Sequence, residues 1–134
     1  MQELMLAILV WIGANSDFNT KVPLPRVEFV SPEELQERSG LKGINVAALY
    51  DDDTKVMYFK IGFDAASTED SAYLTHELVH HVQFENKIGY RTCSAVYEKE
   101  AYRITNLWFV SHGLSEPYSK EDIVLWSVCP AEKD

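Results

Sequence analysis

The chain has 134 residues, 46% of them apolar and 25% charged, which is material for one domain around a single core. Its net charge of −9 argues against binding nucleic acid, whose phosphate backbone calls for basic patches. The same charge mildly suits basic or neutral peptides.

Taken in chain order, Leu4 to Ile12 is an apolar run too short to span a bilayer, so no membrane span is expected. It makes a poor signal peptide, because Glu3 precedes it and no Lys or Arg does. The better reading is a buried N-terminal helix ending near Asn15, in a soluble protein. Ala7 to Ala14 still has the texture of a degenerate secretory signal. Pro23 and Pro25 close a loop, and Arg26 to Ser31 alternates as a strand does. Ser31-Pro32-Glu33-Glu34 starts a short helix that Gly40 stops. Asn45 to Asp51 and Lys55 to Gly62 are β-rich runs around Asp52-Asp53-Thr54, which predicts a hairpin. Its acidic turn lacks the Gly and the later Glu of an EF-hand loop and reads as solvated. Ser67 and Asp70 predict a helix start near Thr68. No Gly or Pro occurs from Ala72 to Phe84, and Leu74, Leu78 and Val82 form an apolar stripe. After a loop through Lys87-IGYRT, a second long helix is expected between Cys93 and Leu114. Tyr97, Ala101, Ile104 and Trp108 form its apolar seam. Ser119 caps a last short helix through Trp126. These elements predict a small α+β domain, with an antiparallel sheet of about three strands backed by two central helices.

The first long helix carries His76-Glu77-Leu78-Val79-His80, an H-E-x-x-H pattern. Residues four apart share a helix face, so His76 and His80 can direct two imidazoles at one zinc ion. Glu77 lies about 100° round the helix, within reach of a water on the metal without being a ligand. His81 also lies about 100° from His80 and cannot easily join the ligand face. It is expected behind the ligands or on the surface, with proton transfer as the alternative. Catalytic zinc usually has three protein ligands and an open position, so a third donor is needed. Glu98 and Glu100 flank the seam of the second long helix, about 200° apart, and only one can face the metal. Periodicity alone does not choose. Glu98 has Ala95 and Ala101 beside it, which allow close helix approach, whereas Glu100 has the bulkier Val96, Ile104 and Leu107. Glu98 is favoured.

H-E-x-x-H followed by a Glu from a later helix resembles the zincin metallopeptidases, in the gluzincin branch whose third ligand is glutamate. The resemblance covers about Ser67 to Leu114 and is closest to small bacterial zincin-like domains of the form HELxHxxQ…ExxAY. It implies one zincin-like domain over residues 1–134 that binds zinc through His76, His80 and Glu98. The family's E-x-x-x-D pattern has an Asp that holds the first zinc histidine. Here Tyr102 stands in that place, and a phenol carries no charge near pH 7. The missing carboxylate must be absent or supplied elsewhere.

The expected activity is zinc-dependent hydrolysis of a peptide or protein substrate, with Glu77 as general base. Tyr90, Tyr97, Tyr102 and His112 are candidate donors to the developing oxyanion. A zinc-stabilised binding or regulatory module with little turnover is the alternative. Cys93 and Cys129 are too far apart for a Cys-x-x-Cys metal knuckle. They are two free thiols, or one disulfide if the protein is exported.

Overall fold

The computed structural model describes residues 1–40, 46–86 and 95–126, with the side chains of 95, 96 and 126 left aside. Tyr90, Cys93 and Cys129, and with them the expected loop after the first long helix and the disulfide, lie outside the described residues. The elements run α1 (Gln2–Asn15), β1 (Arg26–Val30), α2 (Pro32–Ser39), β2 (Ala48–Asp51), β3 (Val56–Lys60), α3 (Thr68–Glu85), α4 (Ala95–Ser111) and α5 (Lys120–Trp126).

This is a small α+β domain, and its sheet of three strands is mixed rather than antiparallel throughout. The strand order is β1-β3-β2. The β2–β3 hairpin is antiparallel, pairing Asp51 with Val56, whereas β1 runs parallel to β3, pairing Arg26 with Val56. The physical reason lies in β3. Met57 and Phe59 point into the main core, and Val56 and Tyr58 into a smaller cluster with Val30 and Leu35. A strand apolar on both faces belongs in the middle of a sheet. The connection through α2 carries the chain from one edge to the other, so the returning β3 lies parallel to β1.

The main core joins Met5, Ile8, Leu9 and Ile12 of α1 to Met57 and Phe59, to Leu74, Leu78, Val79 and Val82 of α3, and to Ala101 of α4. The run Leu4 to Ile12 is thus part of a core helix. Trp11 meets Trp108 edge to face, with ring centroids 5.6 Å apart, tying α1 to α4. No helix among the described residues is long and apolar enough to cross a membrane.

Local signals set the helix ends as the sequence predicts. Ser31 Oγ accepts from the Glu34 amide at 3.1 Å, and Gly40 ends α2 with φ 71°, a left-handed conformation that costs glycine little. Ser67 Oγ accepts from the Asp70 amide at 3.0 Å and starts α3. Ser119 Oγ does the same for Asp122 at 3.1 Å ahead of α5. In the hairpin turn, Asp51 Oδ1 accepts from the Asp53 amide at 3.0 Å. That carboxylate is occupied in shaping the turn, while Asp52 and Asp53 are exposed, as expected of a solvated turn.

Candidate metal centre

The stripe Leu74, Leu78 and Val82 is fully buried and fixes the rotation of α3 against the core. That rotation turns His76 and His80 toward α4. The structure brings Glu98, and not Glu100, to the two imidazoles. His76 Nε2 lies 3.1 Å from His80 Nε2 and 3.3 Å from Glu98 Oε1, and His80 Nε2 contacts the same carboxylate oxygen. The three donor atoms all lie within 4.8 Å of one another. Donors about 2.0–2.2 Å from one zinc at tetrahedral angles are separated by roughly 3.3–3.6 Å. The two spacings from His76 Nε2 are close to that range, whereas His80 Nε2 and Glu98 Oε1 sit closer together than two donors to one ion would; two imidazole nitrogens with a carboxylate oxygen are a donor set zinc accepts.

Electrostatics point the same way. Burial disfavours a charged His80, but the Glu98 carboxylate outweighs it and raises the imidazole to about 9. Burial likewise works to raise Glu98, yet hydrogen bonds from His76 and His80 hold it far below the usual carboxylate range. His80 and Glu98 thus stabilise each other's charged forms.

Glu77 is 7% exposed, and its Oε2 is buried with no hydrogen-bond partner among the described residues. Burial pushes its proton affinity up, and the nearby histidines only partly offset this. A carboxylate left with an unpaired buried oxygen is costly unless something else reaches it.

Tyr102 also lies at the cluster. Its ring centroid is 4.5 Å from that of His76, and its hydroxyl donates to Glu98 Oε2 at 3.4 Å. It therefore holds the Glu98 carboxylate and does not replace a carboxylate behind His76, whose Nδ1 is buried without a partner among the described residues. Tyr118, which no local pattern singles out, completes an aromatic wall. Its ring is 4.7 Å from Tyr102 and 6.1 Å from His76. Asn106 brings it there: Asn106 Nδ2 donates to the Tyr118 carbonyl at 2.8 Å, and the Tyr118 amide donates to Asn106 Oδ1 at 3.0 Å. A buried Asn within an apolar helix needs such partners, and that was the available signal. Burial, with Glu98 near Tyr102 and with Tyr102 near Tyr118, raises both phenols, so each keeps its proton and can donate.

The other singled-out residues lie elsewhere. His81 is neither on the surface nor bonded to the cluster; it is 1% exposed and braces the fold. Its Nε2 donates to the Pro23 carbonyl at 2.7 Å, and its Nδ1 accepts from the Tyr50 hydroxyl at 2.8 Å. Being about 100° from His80 on a buried helix, it meets the loop before β1 instead of the ligand pocket. His112 sits at the far end of α4, roughly 20 Å along the axis from Glu98 at 1.5 Å per residue. It is exposed, its ring tilted against that of Trp108 and bonded to the Trp108 carbonyl, too far away to serve as an oxyanion donor. Tyr97 is buried, and its carbonyl accepts from Gln83 Nε2 at 3.1 Å. Glu100 accepts from the same amide nitrogen at 3.0 Å, so it meets α3 at Gln83 and not at the metal-facing nitrogens of the histidines.

No curated protein and no solved structure matches the chain. The model of one family, described as a domain of unknown function (DUF6647), matches residues 1–134. The protein belongs to the DUF6647 family.

Proposed function

We propose that this protein is a zinc-dependent hydrolase, most simply a metallopeptidase, with zinc held by His76, His80 and Glu98. The observation that carries the reading is the pairing of a three-donor cluster with a buried carboxylate, Glu77, whose Oε2 has no partner among the described residues. Zinc in such a site supplies a Lewis acid that acidifies water and polarises a carbonyl oxygen. Everything else falls to the chain's own residues. Glu77 Oε2 takes the proton from the attacking water, and its raised proton affinity suits a group that must hold it. The same oxygen then delivers the proton to the departing amine nitrogen. Among the described residues, Tyr102 and Tyr118, kept protonated, are the phenols whose rings lie at the cluster and are the candidates to donate to an oxyanion, and Tyr102 must let go of Glu98 Oε2 to do so. Of the two edge strands, β2 packs on α3, so an extended peptide adding to the sheet beside the metal helix would pair there. The central strand β3 has no free edge to offer.

A zinc-stabilised module without turnover is the competing reading, favoured by Tyr102 standing where the gluzincin pattern has an Asp. Glu77→Gln separates the two. The variant keeps its size and all three donors but cannot accept a proton. It should retain zinc and melt near the wild-type temperature, while cleavage of a peptide library falls by about 10²–10⁴-fold. Equal cleavage by both proteins, with zinc bound, would refute the role of Glu77. No cleavage by the wild type across a broad library would favour the module.

A further inference from the structure

Gln83 takes no part in the reading above, yet it is fully buried directly behind His80 and is bonded on three sides. Its Nε2 lies 3.1 Å from the Tyr97 carbonyl and 3.0 Å from Glu100 Oε1. Its Oε1 lies 2.9 Å from His80 Nδ1. The orientation of an amide is decided by its partners. A main-chain carbonyl and an ionised carboxylate can only accept, so the NH2 group must face α4. The oxygen must then face His80, and an amide oxygen can only accept. His80 Nδ1 therefore carries a hydrogen. In the neutral imidazole this leaves the lone pair on Nε2, the nitrogen that faces His76 and Glu98.

We propose that Gln83, anchored on α4 by Glu100 and the Tyr97 carbonyl, is a positioning residue that locks His80 with Nδ1–H turned away and Nε2 presented as the metal donor. The inference rests on the metal-site reading. It also gives Glu100 a task. The carboxylate missing at Tyr102 is supplied by Glu100, and it reaches His80 through an amide instead of touching His76 directly. The same amide joins the helix bearing both histidines to the residue just before Glu98. One side chain thus sets a histidine tautomer and the register between the two donor helices. Groups that orient metal ligands in this way typically affect metal affinity by about 10–100-fold.

The test uses the full chain and zinc alone. In the zinc-loaded wild type, nitrogen-15 NMR of the histidine side chains should show His80 Nδ1 protonated and Nε2 coordinated. Gln83→Met, of similar length and without hydrogen bonds, should bind zinc about 10–100-fold more weakly in competition with a chromophoric chelator. Its His80 Nδ1 proton should exchange faster with water. Gln83→Glu keeps the acceptor for His80 but sets two carboxylates together. Adding Glu100→Gln to it restores a donor and should recover part of the lost affinity, which a merely space-filling role would not do. His80 coordinating through Nδ1 in the wild type would overturn the proposal. So would a folded Gln83→Met variant with wild-type zinc affinity. If Gln83→Met does not fold, the wild-type spectrum and the paired exchange decide. A wild type that takes up no zinc refutes the metal reading itself, whereas zinc uptake with the wrong tautomer refutes only the role of Gln83.

Discussion

Individual residues carry the sharpest consequences. His81 is a neutral, buried histidine whose burial lowers its proton affinity below the ordinary value. A folded-state pKa below the unfolded value near 6.5 means that protons favour the unfolded chain. The stability His81 contributes is therefore complete above about pH 6.5 and is lost as pH falls through the lower folded value. His80 has the opposite sign. In chelator-treated protein its pairing with Glu98 raises it to about 9, so that contribution is present below about 6.5 and is lost as pH rises through about 9. Melting curves of metal-free protein should thus show His81→Leu flattening the acid limb and His80→Leu the alkaline limb. His81→Leu should also cost about 1–3 kcal/mol near neutral pH, because the Pro23 carbonyl and Tyr50 hydroxyl lose their partner. If His81→Leu leaves both stability and the acid limb unchanged, the bracing role is wrong. At this scale the H-E-x-x-H residues were legible because their geometry is local to one helix. The tasks of His81, Gln83 and Tyr118 were not, since each depends on a partner from a distant part of the chain.

At the scale of elements, α3 is held in two ways that can be measured separately. Its cap is one hydrogen bond from Ser67, and Ser67→Ala should cost about 0.5–2 kcal/mol. Its buried stripe counts for more: Leu78→Ala should cost about 2–5 kcal/mol, because Leu78 is fully buried in the core that joins α1, β3, α3 and α4. Urea titration orders the two variants, and a cap variant more damaging than Leu78→Ala would contradict this account of α3. Element positions followed closely from caps and periodicity. The direction of β1 did not, because alternation reports which face of a strand is buried and says nothing about its neighbour's direction. The two-faced apolar pattern of Val56 to Phe59 was the cue for a central strand, and a central β3 separates β1 from β2. The choice between Glu98 and Glu100 also belongs here. Helix periodicity left both open, small neighbouring residues favoured Glu98, and the packing of α4 on α3 brings Glu98 to the histidines and Glu100 to Gln83.

For the whole molecule, the fold serves as a frame that presses two helices together across one polar pocket. The chain carries a net charge of −9, and the pocket concentrates two imidazoles and two carboxylates, buried or partly buried, a crowding that a bound cation would relieve. A ligand that binds only the folded chain stabilises it, by about 2.7 kcal/mol when its free concentration is 100 times Kd. Zinc should therefore raise the melting temperature of the wild type and leave His76→Ala and His80→Ala nearly unmoved. The most direct test of the account is elemental analysis of the full chain, stripped with chelator, reloaded with zinc at neutral pH and freed of excess metal. The expected result is about one zinc per chain in the wild type and close to none in His76→Ala and His80→Ala. A folded wild type that retains no zinc, or histidine variants that retain as much as the wild type, would contradict it.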